Sequence, residues 1–295
     1  MKILITGVHG FVGSNLYSYL KSKHKIFGIG RNNKYSKLKH KNILSLEINK
    51  KSLKKLNYQP DILIHCAGSG SVSKSLNNKK KDYKKNVSTS KHIINYLKGM
   101  QKKPKVIIFS SAAVYGNSAG QKKKKILPVS PYGVNKLKSE KIFKESSKKL
   151  GFKLQIFRFY SIYGEGLRKQ LIWDACNKIT LKKNYFYGSG EEIRSWTHIS
   201  DVCRFIDTII SMPLNKNCIV DVSSNDVVKN KIILKKLFKL FNYNSSPYFN
   251  KIQKKGDPFN QIYIKKNIQN INWSPSVRID EGLKKYLLWF KKQKR

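Results

Sequence analysis

The chain has 295 residues, 40% hydrophobic and 12% aromatic, with 61 Lys+Arg against 16 Asp+Glu, a formal net charge of +45. That length and apolar content exclude a disordered chain and allow one large α/β domain or two coupled ones, while no apolar run approaches the ~20 residues of a membrane span. The charge attracts polyanions, but only seven of the basic residues are arginines and the lysines lie in scattered runs ("NKKKDYKK", "KKKK", "KIQKK"), so non-specific contact with nucleic acid is expected and a dedicated site for it is not.

The first expected strand, 2–6 (KILIT), stands at the very start, so no leader segment is expected. It runs into "ITGVHGFVGSNL", a G-x-x-G-x-x-G of Gly7, Gly10 and Gly13 ahead of a helix near 11–23. Glycines are needed where a backbone turns tightly and a pyrophosphate must approach a helix N-terminus with no Cβ in the way. The second strand, 25–29 (KIFGI), ends in "GRNNK". An acid there would bind the ribose 2′-hydroxyl of NAD, whereas Arg31 suits the 2′-phosphate of NADP, so NADP is favoured over NAD. A third strand over 43–46 leads to Glu47, which either accepts from the adenine amino group or is a plain loop charge. Strands follow at 61–66 (DILIHC), 105–110 (KVIIFS) and 153–158 (KLQIFR), separated by helical stretches near 82–98 and 131–150. Continuous apolar strands alternating with helices predict a doubly wound parallel α/β sheet.

In "SPYGVNK", Tyr132 and Lys136 lie one helical turn apart, so their side chains can converge. Beyond 165 the alternation loosens. Residues 219–222 (IVDV) read as a strand, and 228–241 and 280–291 as helices, the latter with Leu283, Tyr286, Leu287 and Phe290 at helical spacing behind an Asp280 cap. A dinucleotide-binding unit over 1–165, with 200–222 returning to it, and a smaller, mostly C-terminal substrate lobe over 166–295 are expected. Four scattered cysteines without a C-x-x-C pair suggest reduced thiols in a cytoplasmic protein, and no metal site is expected.

Taken together, these motifs resemble the extended short-chain dehydrogenase/reductase family, the NAD-dependent epimerase/dehydratase group acting on nucleotide sugars. The likeness runs through "MKILITGVHGFVGSNL", "DILIHCAGSGSVSKS", "KKNV", "FSSAAVYG", "SPYGVNK", "RFYSIYG", "RSWTHISDV" and "WSPSVRIDEGL". It implies a Rossmann-type fold and a catalytic set of Ser111, Tyr132 and Lys136. Gly7, Gly10, Phe11, Val12, Gly13, Arg31, Glu47, Ala67, Gly68, Asn86, Tyr132 and Lys136 would line the dinucleotide. On the substrate side it implies Ser71, Ser111, Ala112, Ser161, Arg194, Lys254 and Asp257, the partner being a nucleotide-diphosphate sugar. A homodimer through the helices near 82–98 and 131–150 is also implied, although their lysines oppose it.

The chemistry accounts for the spacing: a tyrosine with a pKa of about 10 is a poor base, and a nearby ammonium favours its phenolate. Where the sugar 4,6-dehydratases of the family read Thr-Asp-Glu, this chain has Ser111-Ala112-Ala113, which cannot shuttle the proton of a water elimination. Two reactions at sugar C4 remain. Arg31 favours a 4-ketoreductase, as does a likeness to reductases of surface-polysaccharide sugar biosynthesis; the alternative is a 4-epimerase that keeps NAD bound. A relative that has lost catalysis and binds RNA is disfavoured by the complete Ser-Tyr-Lys set.

Overall fold

A computed structural model describes residues 1–36, 38–213, 216–253, 255–264, 271 and 273–293. In chain order the elements are β1 (Lys2–Thr6), α1 (Phe11–Leu20), β2 (Lys25–Ile29), β3 (Ile43–Leu44), α2 (Lys50–Lys54), β4 (Ile62–His65), α3 (Val72–Asn77), α4 (Lys79–Tyr83), a π turn (Lys84–Ser88), α5 (Thr89–Lys98), β5 (Lys105–Ser111), a 3-10 segment (Ala112–Gly120) and α6 (Pro131–Leu150). They continue with β6 (Leu154–Phe159), β7 (Ser161–Tyr163), α7 (Gln170–Thr180), β8 (Tyr185–Phe186), β9 (Ile193–His198), α8 (Ile199–Ser211), β10 (Cys218–Val222), β11 (Asp226–Lys229), α9 (Asn230–Leu240), β12 (Tyr248–Phe249) and α10 (Ile279–Lys292).

Seven strands form the expected parallel sheet in the order β10-β6-β5-β4-β1-β2-β3. The strands are apolar on both sides because the sheet is covered on both: Ile3, Ile5, Ile62, Ile64, Ile107 and Phe109 face one core with α1 and α8, while Leu4, Leu63, Val106 and Ile108 face the other with α5 and Phe143 of α6. Each such fully buried side chain contributes ~1.5–3 kcal/mol from its removal from water. Strand order reverses between β1 and β4, which opens a crevice at their carboxyl ends where ligands of such sheets bind.

A second core gathers Tyr163, Trp196, Ile172, Ile179, Ile233, Leu237, Leu283, Tyr286 and Phe290 from β7, β9, α7, α9 and α10. It sits beside a three-stranded sheet, β11-β9-β7, and a two-stranded one, β12-β8. Trp196, His198 and Trp273 are packing residues rather than open side chains.

The expected helical stretch near 82–98 is helical throughout, running from the end of α4 through the π turn into α5, and within the π turn Asn86 hydrogen-bonds Asp82. One expectation needs correction. Asp280 does not cap α10: Arg278 holds the N-cap position, and Asp280, in the first turn, pairs with Lys236 at 2.6 Å. No helix among the described residues is long and apolar enough to cross a membrane.

Candidate active site

The glycine loop follows β1. Gly7 adopts φ +73°, and a Cβ there would lie 2.7 Å from the Ala67 backbone. A Cβ on Gly13 would come within 2.3 Å of the Gly7 carbonyl oxygen, so loop and helix touch through bare backbone. Gly10 is the N-cap of α1; it offers no side-chain acceptor, and no acid occupies the first turn. The first-turn N–H groups and the helix dipole are therefore available to an anion. Phe11 packs against both the sheet core and the second core, and Val12 against the sheet core. This bare, uncapped cradle fits a dinucleotide diphosphate.

At the end of β2, Arg31 is exposed and its charge repels Lys85. Glu47 is also exposed and lies 3.5 Å from the Lys84 ammonium. Sequence reasoning missed His9, inside the glycine loop. Its buried ring hydrogen-bonds Ser36 Oγ at 2.6 Å and Ser45 Oγ at 2.9 Å, while its carbonyl accepts from Asn33 Nδ2 at 2.5 Å. These bonds moor the segment after β2 to the glycine loop, and burial lowers the His9 pKa. No local sequence signal marks such a contact.

The loop after β4 brings Ala67, Gly68 and Ser71 to the crevice. A Cβ on Gly68 would sit 2.7 Å from Asn86 Oδ1 and 3.5 Å from Lys136 Nζ, so only glycine lets these two side chains approach. Asn86 Oδ1 accepts from Ser69 N at 3.2 Å, and its Nδ2 donates to Asp82 Oδ2 at 3.1 Å. Asn135 of α6 donates to the same carboxylate oxygen at 2.8 Å. Asp82, buried and unnoticed in the sequence, thus joins the π turn to the helix that carries Tyr132 and Lys136. Ser71 caps α3 by accepting from Lys74 N.

Ser111 closes β5, and α6 begins on Ser130, whose Oγ accepts from Gly133 N at 3.1 Å, with Pro131 in the first turn. The Tyr132 N–H donates to Ser75 Oγ at 3.1 Å, which fixes the first turn of α6 against α3. Ser111 Oγ accepts from Ala113 N at 3.2 Å. Burial pushes the Tyr132 phenol up to about 12, and the neighbouring Ser111 hydroxyl acts in the opposite direction. Lys136 donates to the Phe109 carbonyl at 2.8 Å; burial brings its pKa down to about 8, against the attraction of Cys66, Asp82 and Glu140. Ser111, Tyr132 and Lys136 therefore lie at one end of the sheet, a hydroxyl, a phenol and an ammonium in an arrangement able to move a proton on and off a ligand hydroxyl.

The substrate-side residues are more dispersed. Ala112 is buried behind Ser111, and Ser161 lies on β7 opposite Trp196. The Arg194 guanidinium is engaged by the protein itself: it donates to the carbonyls of Ile193 (3.0 Å), Phe259 (2.6 Å) and Pro258 (2.8 Å) and to Asp257 Oδ1 (3.3 Å). In this arrangement Arg194 holds the 257–261 segment and Asp257 is its ion partner. Lys254 lies outside the described residues. Lys169, which sequence reasoning passed over, stands just ahead of α7 with its ammonium 3.0 Å from where a Gly70 Cβ would be.

The profile of the NAD dependent epimerase/dehydratase family matches residues 3–222. An uncharacterised UDP-glucose epimerase, YtcB, of Bacillus subtilis (strain 168) is 28% identical over 72% of this chain and 73% of its own length. The UDP-glucuronate 4-epimerase of Thermodesulfobacterium geofontis (strain OPF15) is 25% identical over 98% of this chain and 95% of its own. Among solved structures, UDP-glucuronic acid 4-epimerase from Bacillus cereus, in complex with UDP-glucuronic acid and NAD, superposes with a TM-score of 0.89 at 23% identity, covering 99% of this chain and 100% of that one.

Proposed function

The chain belongs to the NAD dependent epimerase/dehydratase family, and from that premise we propose that it interconverts the C4 epimers of a UDP-sugar with NAD as its resident cofactor. The observation that carries this reading is the grouping of the Ser111 hydroxyl beside the Tyr132 phenol with Lys136 one helical turn along α6, followed by two buried alanines, Ala112 and Ala113, at the positions after Ser111. Such a site can take a proton from one hydroxyl and return it; it lacks the groups that would expel water from the neighbouring carbons. The relatives support the same direction, since those named above are UDP-sugar epimerases.

When bound, NAD supplies the hydride acceptor at C4 and the donor for the return step. Tyr132 acts as the base on the 4-hydroxyl and later as the acid toward the 4-keto oxygen, while Ser111 holds that oxygen against it. In the structure the phenol stands at about 12, too high for a base at neutral pH. The Lys136 ammonium and the positive charge of the oxidised cofactor favour the phenolate and bring that value down.

This reading displaces the NADPH-dependent 4-ketoreductase that Arg31 suggests. Arg31 is exposed and belongs to a chain with 61 basic residues, so a cation at that position discriminates weakly. Incubation with NAD and either UDP-glucose or UDP-glucuronate, followed by proton NMR of the sugar, tests the proposal. The expected outcome is an equilibrating pair of C4 epimers with no net reduced dinucleotide. Stoichiometric consumption of NADPH by a 4-keto nucleotide sugar, with no epimerisation, overturns it.

A further inference from the structure

Lys169 occupies a setting that the trio does not explain. The segment before it crosses the first turn of α1: Asn15 Nδ2 donates to the Glu165 carbonyl at 3.2 Å, and a Cβ on Gly166 would lie 3.5 Å from Phe11 Cδ2. The segment after it is tied to the loop following β4, because Gln170 Nε2 donates to the Gly70 carbonyl at 3.1 Å. Gln170 holds the left-handed conformation, φ 67°, that turns the chain into α7. Lys169 is thereby set between the open N-terminus of α1 and the loop after β4, filling the space that Gly70 leaves for want of a side chain.

Its electrostatic surroundings are all of one sign. The Lys169 ammonium is lowered to about 8, by burial first and then by repulsion from Lys74, Lys136 and Lys85. Lys85 is in turn lowered by burial and by Arg31, Lys81 and Lys74, with Asp82 acting in the opposite direction. Among the described residues, no carboxylate lies within 4.0 Å of Lys74, Lys85, Lys136 or Lys169. Lys169 thus belongs to a group of cations that reaches Lys136 on α6 and, through Lys85, Arg31 at the end of β2. In a sheet of this kind a dinucleotide crosses the carboxyl ends of the strands, and the Lys169 ammonium lies on that side, beside Gly70 of the loop after β4.

We propose that Lys169 is a binding residue for the diphosphate of the dinucleotide, an ammonium brought in from the α7 side that closes over the anion seated on the N-terminus of α1. The assignment rests on the dinucleotide reading of the site, and it gives the half-buried, unpaired lysine the counter-charge that the fold withholds. Burying an ammonium is costly unless an anion meets it. A doubly charged diphosphate between Lys169, Lys74 and the first-turn N–H groups meets that need.

Calorimetric titration of stripped protein with NAD, ADP-ribose and UDP separates the sources of diphosphate. Lys169→Gln is expected to weaken NAD and ADP-ribose by about tenfold to a hundredfold, the worth of a charge-assisted hydrogen bond, and to leave UDP unchanged. Lys169→Arg, which keeps the charge, is expected to retain most of the affinity. Because the substitution relieves repulsion, ligand-free Lys169→Gln should melt at or above the wild-type temperature. Weakened UDP with unchanged NAD assigns Lys169 to the nucleotide-sugar diphosphate and overturns the proposal. Equal loss in the Arg and Gln variants makes the residue a packing element and also overturns it. Wild-type protein that binds UDP but no dinucleotide brings down the dinucleotide reading itself, a result distinct from NAD binding that Lys169→Gln leaves intact.

Discussion

Helix α6 carries two charged side chains one turn apart that meet opposite fates. Glu140 is buried and fully matched: Arg158 of β6 donates to it through Nε at 2.9 Å and NH2 at 2.6 Å, and Ser110 Oγ adds a third bond at 2.5 Å. Lys136 donates to one carbonyl, and among the described residues neither it nor Lys169 has a carboxylate within ion-pair distance. Against the lowering effect of burial, Glu140 and Tyr115 hold the Arg158 pKa above its ordinary value. The unmatched lysines are both depressed to about 8. A protein with 61 basic residues and 16 acids cannot pair most of its cations. It places one of its few buried acids where the sheet needs a structural tie and leaves the crevice positive, and that difference marks the crevice as the place for an anionic ligand.

The comparison is broken most sharply at the reactive end. Tyr132→Phe removes the proton-transfer group and keeps the ring, so turnover should fall by about 10²–10⁴-fold while NAD affinity and melting temperature hold. Substantial residual turnover would take Tyr132 out of its role. On the structural side, Arg158→Met leaves Glu140 buried without its partner and should destabilise the fold by about 3–5 kcal/mol, read as a lower urea midpoint. Adding Glu140→Leu to that variant should restore much of the loss, since no charge then remains to be satisfied. If the double variant is no better than the single one, the pair does more than neutralise itself. Lys136→Met acts between these extremes. Without its ammonium the phenolate of Tyr132 is harder to form, so activity should drop at neutral pH and recover partly as pH rises. A flat loss across the pH range would confine Lys136 to positioning.

The sheet and the grouping of Ser111, Tyr132 and Lys136 were legible in the sequence because each rests on contiguous signals. An apolar run makes a doubly covered strand, glycines between strand and helix make a cradle, and i, i+4 spacing places Tyr132 over Lys136. The remainder depends on contacts between distant segments. Arg194 looks like a ligand-facing cation until the chain returns 63–65 residues later and supplies the Asp257, Pro258 and Phe259 oxygens that engage it. His9 finds its partners 27 and 36 residues away. The π turn at Asn86 accompanies Asp82 accepting from Asn86 and Asn135 at once, which helical periodicity does not encode. α7 and α8 are a different case. Ile172, Ala175, Cys176 and Ile179 repeat at helical spacing, as do Val202, Phe205, Ile206 and Ile209, so both helices were present in the pattern. α7 lacks the side-chain cap that would have marked its start: Lys169 stands at the N-cap with no hydrogen bond to the first turn. Only the folded arrangement shows that this uncapping residue faces the crevice.

The smallest expected effect is also the one most specific to the unmatched lysines. Lys136 and Lys169 have folded pKa values near 8, below the usual 10.5, so between those values the unfolded chain binds more protons than the ligand-free fold. Stability of the ligand-free protein should therefore rise with pH from about 8 upward, the reverse of the behaviour of a lysine that gains a carboxylate partner. Buried tyrosines act in the opposite sense at higher pH: Tyr115 and Tyr132 are raised to about 12, and they resist ionisation while their unfolded counterparts titrate near 10. Comparing wild type with Lys169→Met cancels that tyrosine contribution, so the difference between their urea midpoints at pH 7.5 and pH 9.5 (~2 units apart, inside the lysine window) isolates Lys169. The variant should be the more stable protein at the lower pH, with the gap closing as pH rises. Saturating NAD should reverse the order, because the bound diphosphate turns a repelled ammonium into a paired one. A gap that is independent of both pH and NAD would mean that Lys169 is already matched in the fold, and the contrast with Arg158 would disappear.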